Sequence, residues 1–304
     1  ISECLVGSEM CIRDSYKTTG LGKTTFTDAD YTSIENDLKE YTKTYRGSIS
    51  YSDVYYPDDK NVGWFADATA YNNLKNSMLK SVYENGGFYV GRYEAGIDTT
   101  TGTNRTSKGP TNSDGKYTIE GMSTPVSKAD AYPYTWVTRT QAQNLASNVN
   151  SGTKTSSLMF GVQWDLVLAF MHNKGNIADS TLTSNSTTIG NYKNNLWTIK
   201  NANAKYSTDY GSTFTACPNP FKKDADSKIL LTTGADSSFS VQNIYDIAGN
   251  VYEWTLELTS STGLPCAYRG GGFDNAGSND PAAYRYYNST GDSFNYIGFR
   301  VSLF

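Results

Sequence analysis

The sequence predicts an α+β fold in which two or three helices lie among twisted, mostly antiparallel strands and long loops. Apolar side chains recur at three- and four-residue steps in residues 67–83, 138–149 and 161–172, which indicates amphipathic helices. Residues 95–121 and 173–240 are rich in Thr, Asn, Ser and Gly and poor in apolar anchors, which is typical of loops. Helices separated by such loops favour a mixed, loop-rich architecture.

The composition excludes several classes of protein. The chain has 304 residues, enough for one large domain or two small ones. Charged residues are 18% of the chain, and the net charge of −4 comes with no basic run, which argues against nucleic-acid binding. No stretch of about eighteen apolar residues occurs, so we expect no transmembrane segment. The 24 tyrosines, among many small polar residues, are typical of extracellular binding proteins.

We expect three segments along the chain. Residues 1–15 are unlike the sequence of the rest of the chain and resemble translated sequencing-adapter read-through, so we predict that they are non-native. Residues 16–60 form a polar extension, in which residues 28–41 carry Tyr, Ile and Leu on one face of a predicted helix. Residues 61–304 are predicted to form the main domain.

Local signals set the element boundaries in the main domain. Gly86 and Gly87 end the helix of residues 67–83, and a strand is predicted over residues 88–94. Thr138 and Gln141 fit a capping box that opens the next helix. Short strands are expected within the later loop-rich region, near residues 196–199 and 229–232.

The rest of the chain is organised around residues 243–255, which read N-I-Y-D-I-A-G-N-V-Y-E-W-T. Gly249 and Asn250 predict a tight turn, because both residues tolerate positive φ. Apolar and aromatic residues on either side of the turn have the pattern of core anchors.

Two carboxylates flank this turn at a separation of seven residues. A reversal at Gly249 brings Asp246 and Glu253 towards one point, with the backbone carbonyls of Gly249 and Val251 between them. Four oxygens of this kind suit a hard cation such as Ca²⁺. The alternative is that the carboxylates cap turns or pair with arginine.

Several motifs resemble those of the formylglycine-generating enzyme (sulfatase-modifying factor) family, in the same order and with similar spacing. Residues 243–255 resemble G-L-Y-D-x-x-G-N-V-W-E-W, residues 269–273 resemble R-G-G-S-[WF], and residues 297–300 resemble the terminal G-F-R. Residues 86–94 look like the family's first strand, so the resemblance spans about residues 84–304. It implies the sulfatase-modifying factor variant of the C-type lectin-like fold.

The resemblance also bears on metal ions. It implies calcium ligands at Asp246, Gly249, Val251 and Glu253, with the second and third acting through backbone oxygens. The family's oxidase members need a cysteine pair for copper(I) between R-G-G-S and G-F-R. Residues 270–300 contain no cysteine, so we expect a structural Ca²⁺ and neither copper nor iron.

Other catalytic residues are also scarce. Iron-dependent relatives use histidine ligands, whereas this chain has one histidine, His172, which we expect to cap a helix C-terminus. Cys217 and Cys266 either form one disulfide, if the protein is exported, or remain two thiols. Cys4 and Cys11 fall in the segment predicted to be non-native. The chain is therefore more consistent with a non-enzyme, and a formylglycine-generating-type oxidase or related metal-dependent enzyme is the alternative.

Residues 273–296 are the candidate binding segment, because aromatic residues alternate there with small polar ones. Rigid aromatics supply contact area at low entropic cost, and small polar residues supply adaptable hydrogen bonds. The alternative is a core segment in which the aromatics only pack. The predicted ligand-binding residues are Phe273, Asp274, Asn275, Asn279, Tyr284, Tyr286, Tyr287, Phe294 and Tyr296.

The same segment resembles the variable region of diversity-generating retroelement target proteins, which display mutable contact residues on a lectin-like fold. Phe, Tyr, Asp, Ser and Asn are all reachable by changing adenines in an Asn codon. We therefore expect a non-catalytic ligand-binding protein, an adhesin or receptor-binding protein, on a bacterial cell surface or a phage particle. Its expected partner is a protein or glycan on a host or neighbouring cell. A structural module that serves only as a spacer is a third alternative.

Overall fold

The computed structural model describes residues 24–47, 51–57, 65–149 and 152–304, together with the backbone of residues 8–11. Within these ranges the fold is α+β, as predicted, but it has five α-helices rather than two or three. The fifth is only five residues long, too short for a periodic pattern to reveal it. The helices are α1 (Asp28–Tyr41), α2 (Ala68–Asn85), α3 (Arg139–Ser147), α4 (Gly161–Gly175) and α5 (Asp179–Thr183).

The strands of the described residues are short, and most have two to four residues. In chain order they are β1 (Ser8–Cys11), β2 (Gly87–Val90), β3 (Gly96–Ile97), β4 (Tyr132–Pro133), β5 (Ser156–Leu158), β6 (Trp197–Ile199), β7 (Lys205–Ser207), β8 (Thr215–Ala216), β9 (Phe221–Lys223), β10 (Leu230–Leu231), β11 (Ser240–Val241), β12 (Ile244–Tyr245), β13 (Tyr252–Leu258), β14 (Cys266–Arg269), β15 (Arg285–Asn288), β16 (Ile297–Phe299) and β17 (Val301–Leu303).

Two four-stranded sheets form the centre of the fold. One has the order β1-β2-β17-β5 and the other the order β15-β14-β13-β16, which we call the motif sheet because residues of all three family-like motifs lie in it. The pairing of β13 with β16 is parallel, and the other pairings in the described ranges are antiparallel. The smaller sheets are β10-β7-β8, β6-β9, β11-β12 and β3-β4.

The helix ends follow from local chemistry. The hydroxyl of Thr138 accepts from the Gln141 backbone N at 3.2 Å, and the Gln141 side chain accepts from the Thr138 N at 3.0 Å, which confirms the capping box. Helix α2 ends at Gly86, which has φ of 80° and donates its N–H to the carbonyl of Val82 at 3.1 Å.

Helix α4 is capped from a distance. Its N-cap residue, Phe160, has no side-chain oxygen to offer. The carboxylate of Asp53 instead accepts from the backbone N of Gly161 at 2.7 Å and of Val162 at 3.0 Å. The N-terminal extension therefore supplies the anion that the positive end of α4 favours.

One apolar core joins the helices to both large sheets. Leu38 of α1, Met78 of α2, Trp164 of α4 and Phe299 of β16 are buried in the same cluster. The extension helix thus packs in the core of the main domain. None of the helices in the described ranges has both the length and the apolar character needed to cross a bilayer.

Candidate functional site

The turn in the segment 243–255 has the backbone that its sequence predicts. Gly249 and Asn250 have φ of 74° and 56°, in the left-handed region. The Gly249 N–H donates to the carbonyl of Gly270 at 2.8 Å, and the Asn250 N–H donates to the carbonyl of Asn191 at 2.9 Å. The turn is thereby tied to the R-G-G motif and to the long loop that precedes it.

Glu253 forms a buried ion pair with the arginine that ends the G-F-R motif. Arg300 Nη2 lies 2.6 Å from Glu253 Oε1, and its Nε contacts both carboxylate oxygens at 3.1–3.2 Å. The remaining donors of Arg300 reach the carbonyls of Gly91 at 2.8 Å and Tyr245 at 2.8 Å. This arginine, between β16 and β17, connects β12, β13 and the residue after β2 in a planar hydrogen-bonding arrangement that lysine could not reproduce.

A third carboxylate, Glu94, lies beside the turn and was missed by sequence reasoning. It accepts from the Val251 N at 3.1 Å and from the Asn250 side chain at 2.8 Å. Its sequence signal is its position at the end of the strand predicted over residues 88–94, whereas the observed strand ends at Val90. Asp246, on the other side, accepts from the Gly234 N at 2.6 Å.

Asp246, Glu94 and Glu253 are buried close together, and the pKa of each is raised. Burial raises the pKa of Asp246 to about 7. Burial also raises the pKa of Glu94 well above its ordinary value, and the negative charges of Asp246 and Glu253 add to the effect. The pKa of Glu253 is raised by burial as well, although Arg300 opposes the shift. One arginine thus faces three acids, which favours proton uptake by the cluster.

Other groups of the fold already bond to the two predicted calcium carboxylates. Both oxygens of Glu253 already accept from Arg300, and Asp246 already holds the Gly234 N–H. Across the described ranges, no group of three or more His, Cys, Asp and Glu side chains is placed to hold a metal ion. The arrangement corresponds to the arginine-paired alternative rather than to an open cage of four oxygens. Calcium at Asp246, Gly249, Val251 and Glu253 stays a prediction.

A second set of buried ion pairs lies between the motif sheet and α4. Arg269 Nη2 is 2.9 Å from Asp165 Oδ1, and Arg285 Nη2 is 2.5–2.7 Å from the two Asp165 oxygens. Arg285 Nε also contacts Glu257 at 3.0–3.1 Å. Arg46 of the N-terminal extension reaches Asp165 at 3.1 Å. These charges fix the backbone of β14 and β15 from beneath.

Aromatic side chains occupy the opposite face of the motif sheet. Trp254, Tyr268 and Tyr286 lie directly across from one another on β13, β14 and β15. Their rings meet edge to face, with centroids 5.6 Å and 5.9 Å apart. The exposed fraction increases along the row, from 1% at Trp254 to 6% at Tyr268 and 44% at Tyr286. The row therefore begins in the core and ends at the surface.

Two stacks of rings belong to the candidate binding segment, one of which includes Tyr286 at the exposed end of the row, and we call their five rings the aromatic surface. Tyr286 stacks with Tyr287 at 4.7 Å and with Tyr284 at 6.0 Å between ring centroids. Phe294 and Tyr296 stack at 5.1 Å. Tyr286 is exposed, and the other four are half-buried. All five were predicted as ligand-binding residues from the sequence.

Polar predicted residues lie in the same segment. Asp274 and Asn275 are half-buried and Asn279 is exposed. The Asn275 amide donates to the Tyr252 hydroxyl at 2.6 Å, and that hydroxyl donates to Asp280. Burial raises the pKa of both Asp274 and Asp280. Tyr252 and Asp280 were not identified from the sequence, because their contact depends on the tertiary fold.

Phe273 requires a correction. Its side chain is fully buried and packs with Leu230 and Val251, so the prediction that it contacts a ligand is wrong. Its N–H donates to the Asn250 carbonyl at 2.8 Å, which places the residue against the turn. The sequence shows which residues of the segment are aromatic. Whether one of them is buried depends on its tertiary contacts, here the contact of Phe273 with the turn.

A cavity of about 500 Å³ adjoins this region. Asn279 and Tyr284 line one side, and Tyr45 and Tyr51 of the N-terminal extension line the other. The Tyr45 hydroxyl donates to Asp179 at 2.6 Å. No sequence pattern connected the extension with the candidate binding segment, so this wall could not be predicted.

The residues considered for catalysis lie outside the candidate binding segment. The ring of His172 contacts the Ile177 carbonyl at 2.8 Å, just beyond the end of α4, as expected for a helix C-terminus. Cys217 and Cys266 are both buried and are not joined to each other. Burial raises the pKa of the Cys217 thiol to about 11, which disfavours a reactive thiolate. Cys4 and the side chain of Cys11 lie outside the described residues.

The motif resemblance to the formylglycine-generating enzyme family therefore rests on residues that contact one another. Arg300 pairs with Glu253, and Gly270 accepts from Gly249. No family model matches the chain, and no curated protein matches it.

The solved structures that are similar to this chain include the following three. PvdO from Pseudomonas aeruginosa is 16% identical with a TM-score of 0.38, and the match covers 84% of this chain and 92% of PvdO. Treponema denticola variable protein 1 is 15% identical with a TM-score of 0.29, covering 87% and 80%. CarF is 16% identical with a TM-score of 0.28, covering 91% and 82%.

Gly249→Ala should destabilise the fold by about 2–4 kcal/mol, because a Cβ there would be in the left-handed region and would overlap the Asn191 backbone. Gly263→Ala is the matched control, since no atom lies within 4 Å of the Cβ it would add. Urea unfolding of both variants is the measurement. Equal midpoints would contradict the structure of the turn.

Glu253→Ala should cost about 3–5 kcal/mol of stability, because it leaves Arg300 buried without its partner. Glu84→Ala breaks an exposed pair with Lys80 and should change stability by about 0–1 kcal/mol. Thermal unfolding in chelator measures both effects. Repeating it with Ca²⁺ tests the ion: a calcium-dependent gain in wild type that Glu253→Ala loses is the result the calcium prediction requires.

Asp246→Asn should flatten the pH dependence of stability. An acid whose pKa is raised in the folded state stabilises the fold below its unfolded pKa, about 4, and that stabilisation is lost as the pH rises through about 7. Asn cannot ionise but keeps an oxygen for the Gly234 N–H. We expect wild type to lose more stability than the variant between about pH 5 and 7 in urea unfolding. The exposed Asp114→Asn is the control, and parallel profiles for all three proteins would refute the expectation.

Proposed function

We propose that this chain is a non-catalytic ligand-binding protein that uses the aromatic surface to contact a protein or glycan. The observation that carries the proposal is the aromatic row that leaves the core at Tyr268 and ends at the exposed ring of Tyr286, which stacks on the half-buried ring of Tyr287. Exposed tyrosines held in fixed stacks present contact area with little rotamer entropy left to lose.

The support beneath this surface favours binding over a purely structural role. Arg269 and Arg285 fix β14 and β15 through buried carboxylates, so Tyr286 and Tyr287 project from a strand whose backbone is held in place. Rigid placement lowers the entropic cost of association. The half-buried Asp274 and Asn275 supply hydrogen-bonding groups in the same segment.

We place the fold of this proposal in the sulfatase-modifying factor variant of the C-type lectin-like fold, on the strength of the motifs. Export to a bacterial surface or a phage particle belongs to the same proposal, supported by the tyrosine-rich composition. The rival function, a formylglycine-generating-type oxidase, lacks a cysteine pair between residues 270 and 300, and Cys217 and Cys266 lie outside that stretch.

A retroelement origin for the segment 273–296 predicts which of its positions vary. Variation would fall on exposed and half-buried positions such as Asn279 and Tyr286, and would spare the buried Phe273. Sequencing the gene across strains, together with a search for a near-copy of codons 270–300 beside a reverse transcriptase gene, tests it. A segment that is identical in every strain would rule this origin out.

Tyr286→Ala combined with Tyr287→Ala should abolish binding to the ligands that wild type captures on glycan and protein arrays. Exposed aromatic anchors typically contribute about 2 kcal/mol or more each when they lie at the centre of an interface. The melting temperature should change little, because both rings lie on the edge strand β15 and Tyr286 is 44% exposed. The matched control is Tyr89→Ala, which removes a ring of comparable exposure (37%) from the other large sheet. Retained binding by the double variant would reject the proposal.

A further inference from the structure

A second cavity, of about 330 Å³, lies in the loop between β3 and β4 and shares no lining residue with the aromatic surface. Its walls are mostly polar, with hydroxyl groups from Thr103, Thr106, Ser107 and Ser123. Arg105 is the one charged residue of this lining. A polar cavity lined by a single cationic side chain is suited to bind an anionic group.

The guanidinium of Arg105 is short of partners. Its Nη2 donates to the Ser107 carbonyl at 3.0 Å, while its Nε is buried and has no hydrogen-bond partner in the described part of the chain. No acidic side chain there acts on it, and burial lowers the pKa of Arg105. A buried N–H donor without a partner is costly, and within the described residues no carboxylate offsets the partial desolvation of this cation.

The half-buried Arg105 differs in its ion pairing from three buried arginines. Arg269 and Arg285 both contact Asp165, and Arg300 contacts Glu253. Each of these three buried arginines has a carboxylate partner. Within the described residues, Arg105 has none.

Long-range hydrogen bonds hold the cavity open. The Asn104 amide donates to the Gly211 carbonyl at 2.6 Å, which anchors the part of the loop that carries Arg105. The Tyr134 hydroxyl donates to the Ser123 carbonyl at 2.7 Å, which fixes the opposite wall. The space is therefore a formed site rather than slack in a loop.

We propose that this cavity binds an oxyanion group, a carboxylate, sulfate or phosphate, through the guanidinium of Arg105. The planar array of N–H donors suits two oxygens of such a group, and the surrounding hydroxyls can donate to the others. This site goes beyond the aromatic surface, and either one can fail in experiment without the other.

The test is calorimetric titration with sodium phosphate, sodium sulfate and sodium acetate, each against sodium chloride at equal ionic strength. Wild type should bind at least one of the three saturably, and the identity of that anion reports which group the site takes. Arg105→Gln should weaken this binding at least tenfold, and Arg105→Lys, which keeps the charge but loses the fork, should lie between. Lys108→Gln removes an exposed charge three residues away and should bind like wild type.

Stability without oxyanions separates a binding arginine from a structural one. In chloride buffer, Arg105→Gln should melt at the wild-type temperature or higher, because it removes an unpaired, partly desolvated charge. A clearly lower melting temperature for both Arg105→Gln and Arg105→Lys would assign a structural role and overturn the proposal. Equal anion binding by Arg105→Gln and Lys108→Gln, or no saturable binding by wild type, would overturn it as well.

Discussion

The buried arginine–carboxylate pairs on the inner face of the motif sheet are the constraint on which the rest of this structure depends. Arg269 and Arg285 lie on neighbouring strands and share Asp165 of α4, with Glu257 beside them. Removing such charges from water costs several kcal/mol per ion, and only close geometry offsets that cost. A sheet held in this way has one register available to it, because a shift of one residue would bury the arginines without partners.

That register decides where the aromatic residues lie. Side chains alternate between the two faces of a strand, so fixing Arg269 and Arg285 towards α4 directs Tyr268 and Tyr286 to the other face. Trp254 and Tyr268 complete the core there, and among the described residues no further strand pairs with the edge strand that carries Tyr286. The charged face and the aromatic face are therefore two results of one set of interactions. The turn at Gly249 completes the arrangement by bonding to Gly270, which directly follows Arg269.

Features that depend on neighbouring residues were predictable, and those that depend on distant ones were not. Helix α1 spans residues 28–41 as its periodicity predicts, the capping box at Thr138 forms, and Gly249 has positive φ. The predicted strands near residues 196–199 and 229–232 correspond to β6 and β10. By contrast, Asp53 caps α4 across more than one hundred residues of sequence, and no local signal marks it. The same reason explains Phe273: its pattern shows an aromatic residue, while its burial depends on Leu230 and Val251. For Glu253, spacing allowed both calcium and arginine, and the position of Arg300 in the fold favours the pair.

Hydroxyl-radical footprinting of the tyrosines, with and without a ligand selected on the arrays, tests the binding surface most directly. In the free protein, Tyr286 and Tyr287 should be oxidised readily, whereas Tyr252 and Tyr268 should be protected by burial. Adding the ligand should protect Tyr286 and Tyr287 and leave the distant, equally accessible Tyr89 unchanged. Tyrosines 286 and 287 that react equally with and without ligand, while protection appears elsewhere on the molecule, would contradict the assignment of this surface.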